Sequence, residues 1–234
     1  MSDNLMLWSK TLGKGDNLVL LHGWGFNSDI FADIKLHNYK LTLIDLPGHG
    51  RSPIIMGGLE EWVNAIIKII PKNSIIVGWS LGGLIAIKIA QQIKVKKLVL
   101  LASSPCFVNS NNWEYGIKRD IFSEFYKNLQ HNTEKTLKQF TLLQSNNKQQ
   151  AKNLYQQICQ YKVQQIALKI GLDILLNNNL TQELLSLNCP IQAILGKKDT
   201  LVPIKIKDWY QDNYIQTIIY DSGHLPFLNK NFIL

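Results

Sequence analysis

The chain has 234 residues, of which 46% are hydrophobic and 18% charged, and its formal net charge at pH 7 is +8. These values are typical of a globular chain that holds one α/β domain with a sizeable core, or one domain with an insertion, and they exclude a disordered chain. No apolar stretch approaches the about 18 residues of a membrane-spanning helix, and no arginine cluster indicates nucleic-acid binding. The N-terminus lacks the basic and apolar regions of a signal peptide, so we expect a cytoplasmic, monomeric protein.

Cysteine usage argues against a bound metal. The three cysteines, Cys106, Cys159 and Cys189, stand far apart and form no Cys-x-x-Cys pair. Neither a disulfide framework nor a zinc site is therefore expected, and we expect no cofactor. The excess of lysine leaves two interpretations open, which are a solvated basic surface and a surface that attracts an acidic partner.

Apolar, β-branched runs bounded by turn residues predict the strands of a sheet. They occupy residues 5–12, 17–21, 41–44, 75–79, 96–101, 190–196 and 215–220. Apolar residues at helical spacing predict a helix over residues 59–70, which Pro71 ends. Because strands alternate with helical stretches, we predict an α/β fold with a mostly parallel sheet and helices on both faces.

About 80 residues of helical character separate the last two predicted strands from the others. They contain few glycines or prolines and predict helices over residues 113–129, 133–144, 149–170 and 180–187. We interpret residues 107–188 as a helical cap inserted into a core formed by residues 1–106 and 189–234. A second, independent domain is the alternative.

A serine stands at a sharp strand-to-helix junction. Gly78-Trp79-Ser80-Leu81-Gly82 follows a buried strand and precedes a helical pattern over residues 84–90. This Gly-x-Ser-x-Gly pattern is typical of the nucleophile elbow of an α/β-hydrolase, where the strained serine leaves no room for side chains two positions away. We therefore predict that Ser80 is the nucleophile of a hydrolase.

The same chemistry requires a base and an acid later in the chain. A serine hydroxyl is a weak nucleophile until an imidazole takes its proton, and a carboxylate orients that imidazole. Asp199 and His224 each follow a late strand, in the chain order that this fold uses. Three other acidic residues in the following helix and turn are less well placed: Asp208, Asp212 and Asp221.

The loop after the strand at residues 17–21 predicts an oxyanion hole. His22-Gly23-Trp24-Gly25 can turn tightly and expose its backbone N–H groups. We predict the N–H of Trp24 and the N–H of Leu81 as the two oxyanion donors. Asp45 and His49 follow the next strand, and we interpret both as structural residues.

Four segments together resemble the BioH-type pimeloyl-[acyl-carrier protein] methyl ester esterases of biotin synthesis. They are Leu20-Leu21-His22-Gly23-Trp24-Gly25, Ile44-Asp45-Leu46-Pro47-Gly48-His49-Gly50-Arg51-Ser52, Gly78-Trp79-Ser80-Leu81-Gly82-Gly83-Leu84 and Ala102-Ser103-Ser104-Pro105-Cys106-Phe107. The likeness covers nearly the whole chain and is weakest in the cap. It implies an α/β-hydrolase fold and hydrolysis of the methyl ester of a carrier-bound pimeloyl chain, which yields methanol.

The resemblance also implies substrate contacts and a partner. The contacts would come from Trp24, Ser80, Leu81, Phe140, Gln144 and His224. The partner would be an acidic acyl-carrier protein that meets basic residues of the cap. Lysines stand there in place of the family's arginines: Lys135, Lys138, Lys148 and Lys152.

Two other functions stay open on the sequence alone. One is a general carboxylesterase that acts on short free esters through the same serine. The other is a binding protein that keeps a hydrolase scaffold without turnover. A complete set of nucleophile, base, acid and oxyanion donors argues against the second.

Overall fold

The computed structural model describes residues 6–34, 36–145, 147–161 and 164–234. Its strands are β1 (Ser9–Leu12), β2 (Asp16–Leu21), β3 (Tyr39–Ile44), β4 (Ile75–Trp79), β5 (Lys97–Leu101), β6 (Ile191–Gly196) and β7 (Gln216–Tyr220). They form one sheet in the order β1-β3-β2-β4-β5-β6-β7. Only β1 is antiparallel to its neighbour within the described residues, so the predicted mostly parallel sheet is confirmed. The predicted first strand was too long, and its Leu5 lies outside the described residues.

The helices lie between the strands along the chain, and several of them pack against the sheet. They are α1 (Leu59–Ile67), α2 (Leu81–Gln92), α3 (Arg119–His131), α4 (Thr133–Gln144), α5 (Lys148–Cys159), α6 (Gln165–Asn177), α7 (Thr181–Leu185) and α8 (Ile206–Asp212). Short 3-10 helices occupy Ser28–Phe31 and Pro226–Leu228. In the described ranges, no helix has the length and apolar character that crossing a membrane requires.

Helices α3 to α7 lie between β5 and β6, as the sequence predicts, but two of their boundaries differ. The helix expected from Trp113 begins only at Arg119, because the residues before it form β-bridges and the Trp113 indole donates to the carbonyl of Cys106 at 2.8 Å. The helix expected over residues 149–170 is two helices, α5 and α6. That expected helix includes residues 162–163, which lie outside the described residues.

Helix α2 is apolar around nearly its whole circumference because it is covered on every side. Its residues from Leu81 to Ile87 are buried. The helix contacts β2, β4 and β5 on one side and helices α1, α6 and α7 on others. A helix in this position needs no polar face, and it fixes the residue immediately before it, Ser80, at the centre of the molecule.

The carboxyl ends of the parallel strands meet along one edge of the sheet. Register pairs Leu21 of β2 with Gly78 of β4, Trp79 with Leu101 of β5, and Gly196 of β6 with Tyr220 of β7. The loops that carry the predicted site residues all leave from this edge. Ligands of parallel α/β sheets bind at this edge, outside the carboxyl ends of the strands.

Candidate active site

Ser80 occupies a strained turn between β4 and α2. Its backbone has φ +54° and ψ −119°, a region that non-glycine residues avoid. A side chain on Gly78 would collide with the backbone of Gly82, and one on Gly82 would collide with the carbonyl oxygen of Leu21. The Ser103 hydroxyl donates to the Ser80 carbonyl at 2.7 Å and helps to hold the turn.

Asp199 and His224, which sequence places 25 residues apart, are hydrogen-bonded to each other. Oδ2 of Asp199 lies 2.7 Å from Nδ1 of His224, and both side chains are buried. The other carboxylate oxygen accepts the backbone N–H groups of Leu201 and Val202 at 2.8 and 3.0 Å. Nδ1–H of His224 donates to the Asp199 carboxylate, so Nε2 keeps its lone pair, and this atom has no hydrogen-bond partner among the described residues.

The residue before Ser80 ties the turn to His224. The Trp79 indole N–H donates to the backbone carbonyl of His224 at 2.8 Å, and the two rings lie 5.6 Å apart. The structure therefore brings the loop after β7 against the turn after β4.

The loop after β2 lies against the same serine. A methyl group built on Gly23 would stand 3.2 Å from Cβ of Ser80 and 3.0 Å from Cε3 of Trp79. Trp24 is the next residue, and Leu81 is the first residue of α2, whose N–H no helical carbonyl accepts. The two predicted oxyanion donors thus belong to segments that meet at Ser80.

Ser80 is among the residues that line an apolar cavity of about 570 Å³, a volume that includes the open mouth. Among the described residues that line it, Ser80 alone has a hydroxyl, and none is charged. The other lining residues are aromatic or aliphatic: Trp24, Phe107, Phe122, Phe125, Phe140, Ile117, Ile121, Leu143, Leu172, Leu175 and Leu201. The cavity offers a hydrocarbon chain an apolar surface beside the Ser80 hydroxyl.

The two predicted contacts on α4 differ in position. Phe140 lines the cavity and packs edge-on against Trp24, with ring centroids 4.9 Å apart. Gln144, one helical turn later, is buried but is absent from the cavity lining. Both polar atoms of its amide lack a hydrogen-bond partner within the described part of the chain. An unpaired buried amide is costly and is satisfied by water or a ligand.

Several lining residues were not predicted from the sequence. Phe107 and Ile117 come from the segment before α3, Leu172 and Leu175 from α6, and Leu201 from the loop after β6. Their apolar spacing marks buried faces, and this signal is present in the sequence. It does not tell which buried face meets Ser80, because that depends on how the helices pack.

Asp45 lies at the centre of a separate polar cluster. Its carboxylate accepts hydrogen bonds from the Ser28 hydroxyl at 2.6 Å and from Nε of Arg51 at 2.7 Å. Burial opposes the charge, but the hydrogen bonds from Arg51 and Ser28 outweigh it and lower the pKa of Asp45. The Arg51 guanidinium also stacks on the Trp8 ring at 3.3 Å. These contacts agree with a structural role for Asp45.

His49 and His22 are buried beside this cluster. Burial lowers the pKa of His49, whose Nδ1–H donates to the carbonyl of Pro47. Burial, followed by the effect of His49, lowers the pKa of His22 to about 3. Neither histidine lines the cavity at Ser80. In the ranges that the structure describes, no group of three or more His, Cys, Asp or Glu side chains could hold a metal.

Comparisons with known proteins agree with this geometry. A family model described as alpha/beta hydrolase fold matches residues 16–231. A pimeloyl-[acyl-carrier protein] methyl ester esterase of Pseudoalteromonas atlantica is 35% identical over 95% of this chain and 93% of its own length. The protein of the same name from Shewanella woodyi is 35% identical over 98% of this chain and 94% of its own length.

Solved structures show the same fold at lower identity. An esterase from Exiguobacterium antarcticum has a TM-score of 0.85 and 21% identity, with 95% of this chain and 90% of that chain covered. A hydrolase from Oleispira antarctica has a TM-score of 0.86 and 17% identity, with 98% and 92% covered. The chain belongs to the α/β-hydrolase family and, within it, to the family of the pimeloyl-[acyl-carrier protein] methyl ester esterases.

Proposed function

We propose that this protein is a serine esterase that hydrolyses the methyl ester of pimeloyl-[acyl-carrier protein] to pimeloyl-[acyl-carrier protein] and methanol, a step of biotin synthesis. The observation that carries the proposal is the cavity, whose lining is apolar apart from the Ser80 hydroxyl. Such a cavity accepts a hydrocarbon chain with a neutral ester at its end and presents that ester to one nucleophile. The names of the relatives support this substrate.

In the first half of the reaction Ser80 becomes acylated. Nε2 of His224 takes the hydroxyl proton while the Ser80 oxygen attacks the ester carbonyl. Asp199 holds the imidazole through the 2.7 Å hydrogen bond to Nδ1 and stabilises its charged form. The carbonyl oxygen becomes an oxyanion that accepts the backbone N–H groups of Trp24 and Leu81.

The second half frees the enzyme. His224 returns its proton to the departing methoxide, methanol leaves, and the acyl chain stays bonded to Ser80. A water molecule then gives a proton to His224 and attacks the acyl carbonyl. The bond to the Ser80 oxygen breaks, His224 returns the proton to that oxygen, and the carboxylic acid formed loses its proton to water and leaves as a carboxylate. Because no charged side chain stands among the described lining residues, the carboxylate is poorly solvated there and its departure is favoured.

Substrate contacts extend into the helical segment. We assign Phe140 to the chain-binding wall and the unpaired Gln144 amide to a polar group of the bound substrate or to a water that it traps. The acidic carrier docks on the outer face of α4 and α5, where Lys135, Lys148 and Lys152 are exposed. Lys138 contributes less charge there, because Glu134 pairs with it at 2.7 Å.

The test is direct hydrolysis of the carrier-bound methyl ester, followed by mass spectrometry of the intact carrier. Wild type should convert the ester to the free acid, and Ser80→Ala should show no conversion above background. Ser186→Ala is the matched control, because Ser186 is an exposed serine at the end of α7 and should leave the rate unchanged.

The same preparation separates the alternatives. Faster turnover of short p-nitrophenyl esters than of the carrier-bound ester would favour a general carboxylesterase. Absence of a covalent adduct between wild type and a fluorophosphonate probe would favour a binding protein. Full activity of Ser80→Ala would refute the assignment of the nucleophile.

A further inference from the structure

One face of α6 lines the cavity and also contacts Trp24 and Leu81, the two residues that carry the predicted oxyanion donors. Leu168, Gly171, Leu172 and Leu175 share this face, since they are spaced at helical intervals. Leu172 and Leu175 line the cavity. Leu168 contacts Trp24, and Gly171 lies against both Trp24 and Leu81. The helix therefore does more than cover the site.

The first contact is a hydrogen bond to Trp24. Its indole N–H donates to the backbone carbonyl of Leu168 at 2.7 Å, and the indole is only 1% exposed. The ring also packs against Phe125 and Phe140, with centroid distances of 5.4 and 4.9 Å. The ring is thus held by α3, α4 and α6 together.

The second contact is the close approach of Gly171, which has no side chain, to Trp24 and Leu81. A methyl group at this position would stand 2.9 Å from Cδ1 of Trp24 and 3.1 Å from Cδ2 of Leu81. Both distances are shorter than ordinary carbon contacts, which are about 3.5–4.0 Å. A side chain here would displace Trp24, Leu81 or the helix itself.

We infer that α6 positions the oxyanion hole, with Gly171 and the Leu168 carbonyl as its positioning groups. The inference rests on the proposed function, in which the backbone N–H groups of Trp24 and Leu81 receive the oxyanion. The side chains of Trp24 and Leu81 both touch α6. The helix therefore restrains the backbone of these two residues, and the backbone sets the direction of each N–H group. Donors of this kind act only when they are aimed in advance at the developing charge, and small displacements reduce turnover steeply.

The test is Gly171→Ala with p-nitrophenyl acetate, a small substrate that needs neither the carrier nor the full cavity. We expect kcat to fall about 10- to 100-fold while KM changes by less than about twofold. A purely structural role predicts a lower Tm, because the added methyl group overpacks a buried contact, with no change in the kcat of the folded variant. Asn177→Ala, at an exposed position of α6, is the control and should leave kcat unchanged.

A boronic acid inhibitor supplies an independent readout. Its boron accepts the Ser80 oxygen and becomes tetrahedral and negatively charged, so its Ki depends on the oxyanion donors. In Gly171→Ala, Ki should rise by about the same factor by which kcat/KM falls. Trp24→Phe is the second variant, in case Gly171→Ala does not fold. It keeps the backbone N–H and an aromatic ring but removes the bond to Leu168, and kcat should fall several-fold at nearly constant KM.

The outcomes separate the two proposals. If wild type hydrolyses esters and the folded variants retain kcat and boronate affinity, the role of α6 is refuted while the proposed function stands. A rise in KM alone would also refute it, because α6 would then only shape the cavity. If wild type neither hydrolyses esters nor reacts with a fluorophosphonate, the proposed function fails, and this inference fails with it.

Discussion

At the scale of single residues, the environment of Ser80 combines strain with support. Its φ of +54° is unfavourable for a serine, and the turn persists because hydrogen bonds from the Ser103 hydroxyl and the Gly83 N–H reach its carbonyl. His224 is oriented in a similar way. Its Nδ1 meets Asp199, and its backbone carbonyl accepts the Trp79 indole. Both residues are thus held by contacts that leave the Ser80 hydroxyl and Nε2 of His224, the two atoms used in the proposed mechanism, without a partner of their own in the described part of the chain.

The role of Asp199 can be tested by removing its charge without changing its shape. Asp199→Asn should lower kcat by roughly 10⁴-fold if the effect measured in serine proteases applies here, because the amide favours the wrong imidazole tautomer. Steady-state kinetics on a p-nitrophenyl ester measures this. Asp208→Asn, at an exposed site on α8, should leave kcat unchanged. An unchanged rate in Asp199→Asn would place the acid at another residue.

At the scale of structural elements, His22 joins two loops at the edge of the sheet. Its Nδ1–H donates to the carbonyl of Gly23, and its Nε2 accepts the backbone N–H of Leu46, both at 2.8 Å. A proton on Nε2 would put two donors face to face. This contact and burial explain why His22 stays neutral in the folded protein, where its pKa is lowered to about 3.

The neutral His22 makes stability depend on pH. The unfolded chain binds the proton near pH 6.5, whereas the folded chain does so only near pH 3, so acid favours unfolding between these values. The free energy of unfolding should fall by about 1.4 kcal/mol per pH unit for this histidine between about pH 6 and 4. His49, whose pKa is also lowered by burial, adds a loss of the same sign. The stability that Asp45 contributes is lost only at lower pH, when the pH falls below 3.8, the usual pKa of this carboxyl group.

Urea unfolding at a series of pH values measures this slope. His22→Asn removes one titrating group and should flatten the slope, even though the variant is less stable at pH 7. His37→Asn, at an exposed loop position, should keep the slope of wild type. A wild-type free energy that stays constant from pH 6 to 4 would show that His22 takes up its proton without cost in the folded state.

At the scale of the whole molecule, we expect the surface charge and the cavity to recognise different parts of the proposed substrate. The cavity beside Ser80 has no charged lining residue in the described chain, so it selects a neutral, apolar group. The net charge of +8 lies instead on the surface. In the proposed function we therefore expect an acidic carrier to be attracted over a distance before its acyl chain enters the cavity, and such attraction acts mainly on the rate of encounter.

Salt should therefore affect the two kinds of substrate differently. Raising the salt concentration from about 25 to about 300 mM should lower kcat/KM for the carrier-bound ester about tenfold, because the charges are screened. The same change should alter kcat/KM for a neutral p-nitrophenyl ester by less than about twofold. Lys148→Gln and Lys152→Gln together should reduce the salt dependence on the carrier-bound ester. Equal salt dependence for both esters would refute docking by charge.

The sequence by itself determined the strands of the sheet, the strained turn at Ser80 and the positions of Asp199 and His224 after late strands. These features depend on short-range rules. Glycines two residues from a serine permit one sharp turn, and continuous apolar runs predict buried parallel strands. The carboxyl ends of such strands lie at one edge, so residues far apart in the chain could be expected to meet.

Only the tertiary structure decided which faces of the helical segment meet that edge. The break between α5 and α6 contains no Gly or Pro that would mark it, and the single Gly116 before α3 did not suffice to predict its start at Arg119. The cavity draws its lining from segments that are distant in sequence, and Gly171 matters because of its distance from Trp24 and Leu81. Packing between distant segments overrides local preference, and for this reason the position of α6 on the predicted oxyanion donors could not be inferred from the sequence.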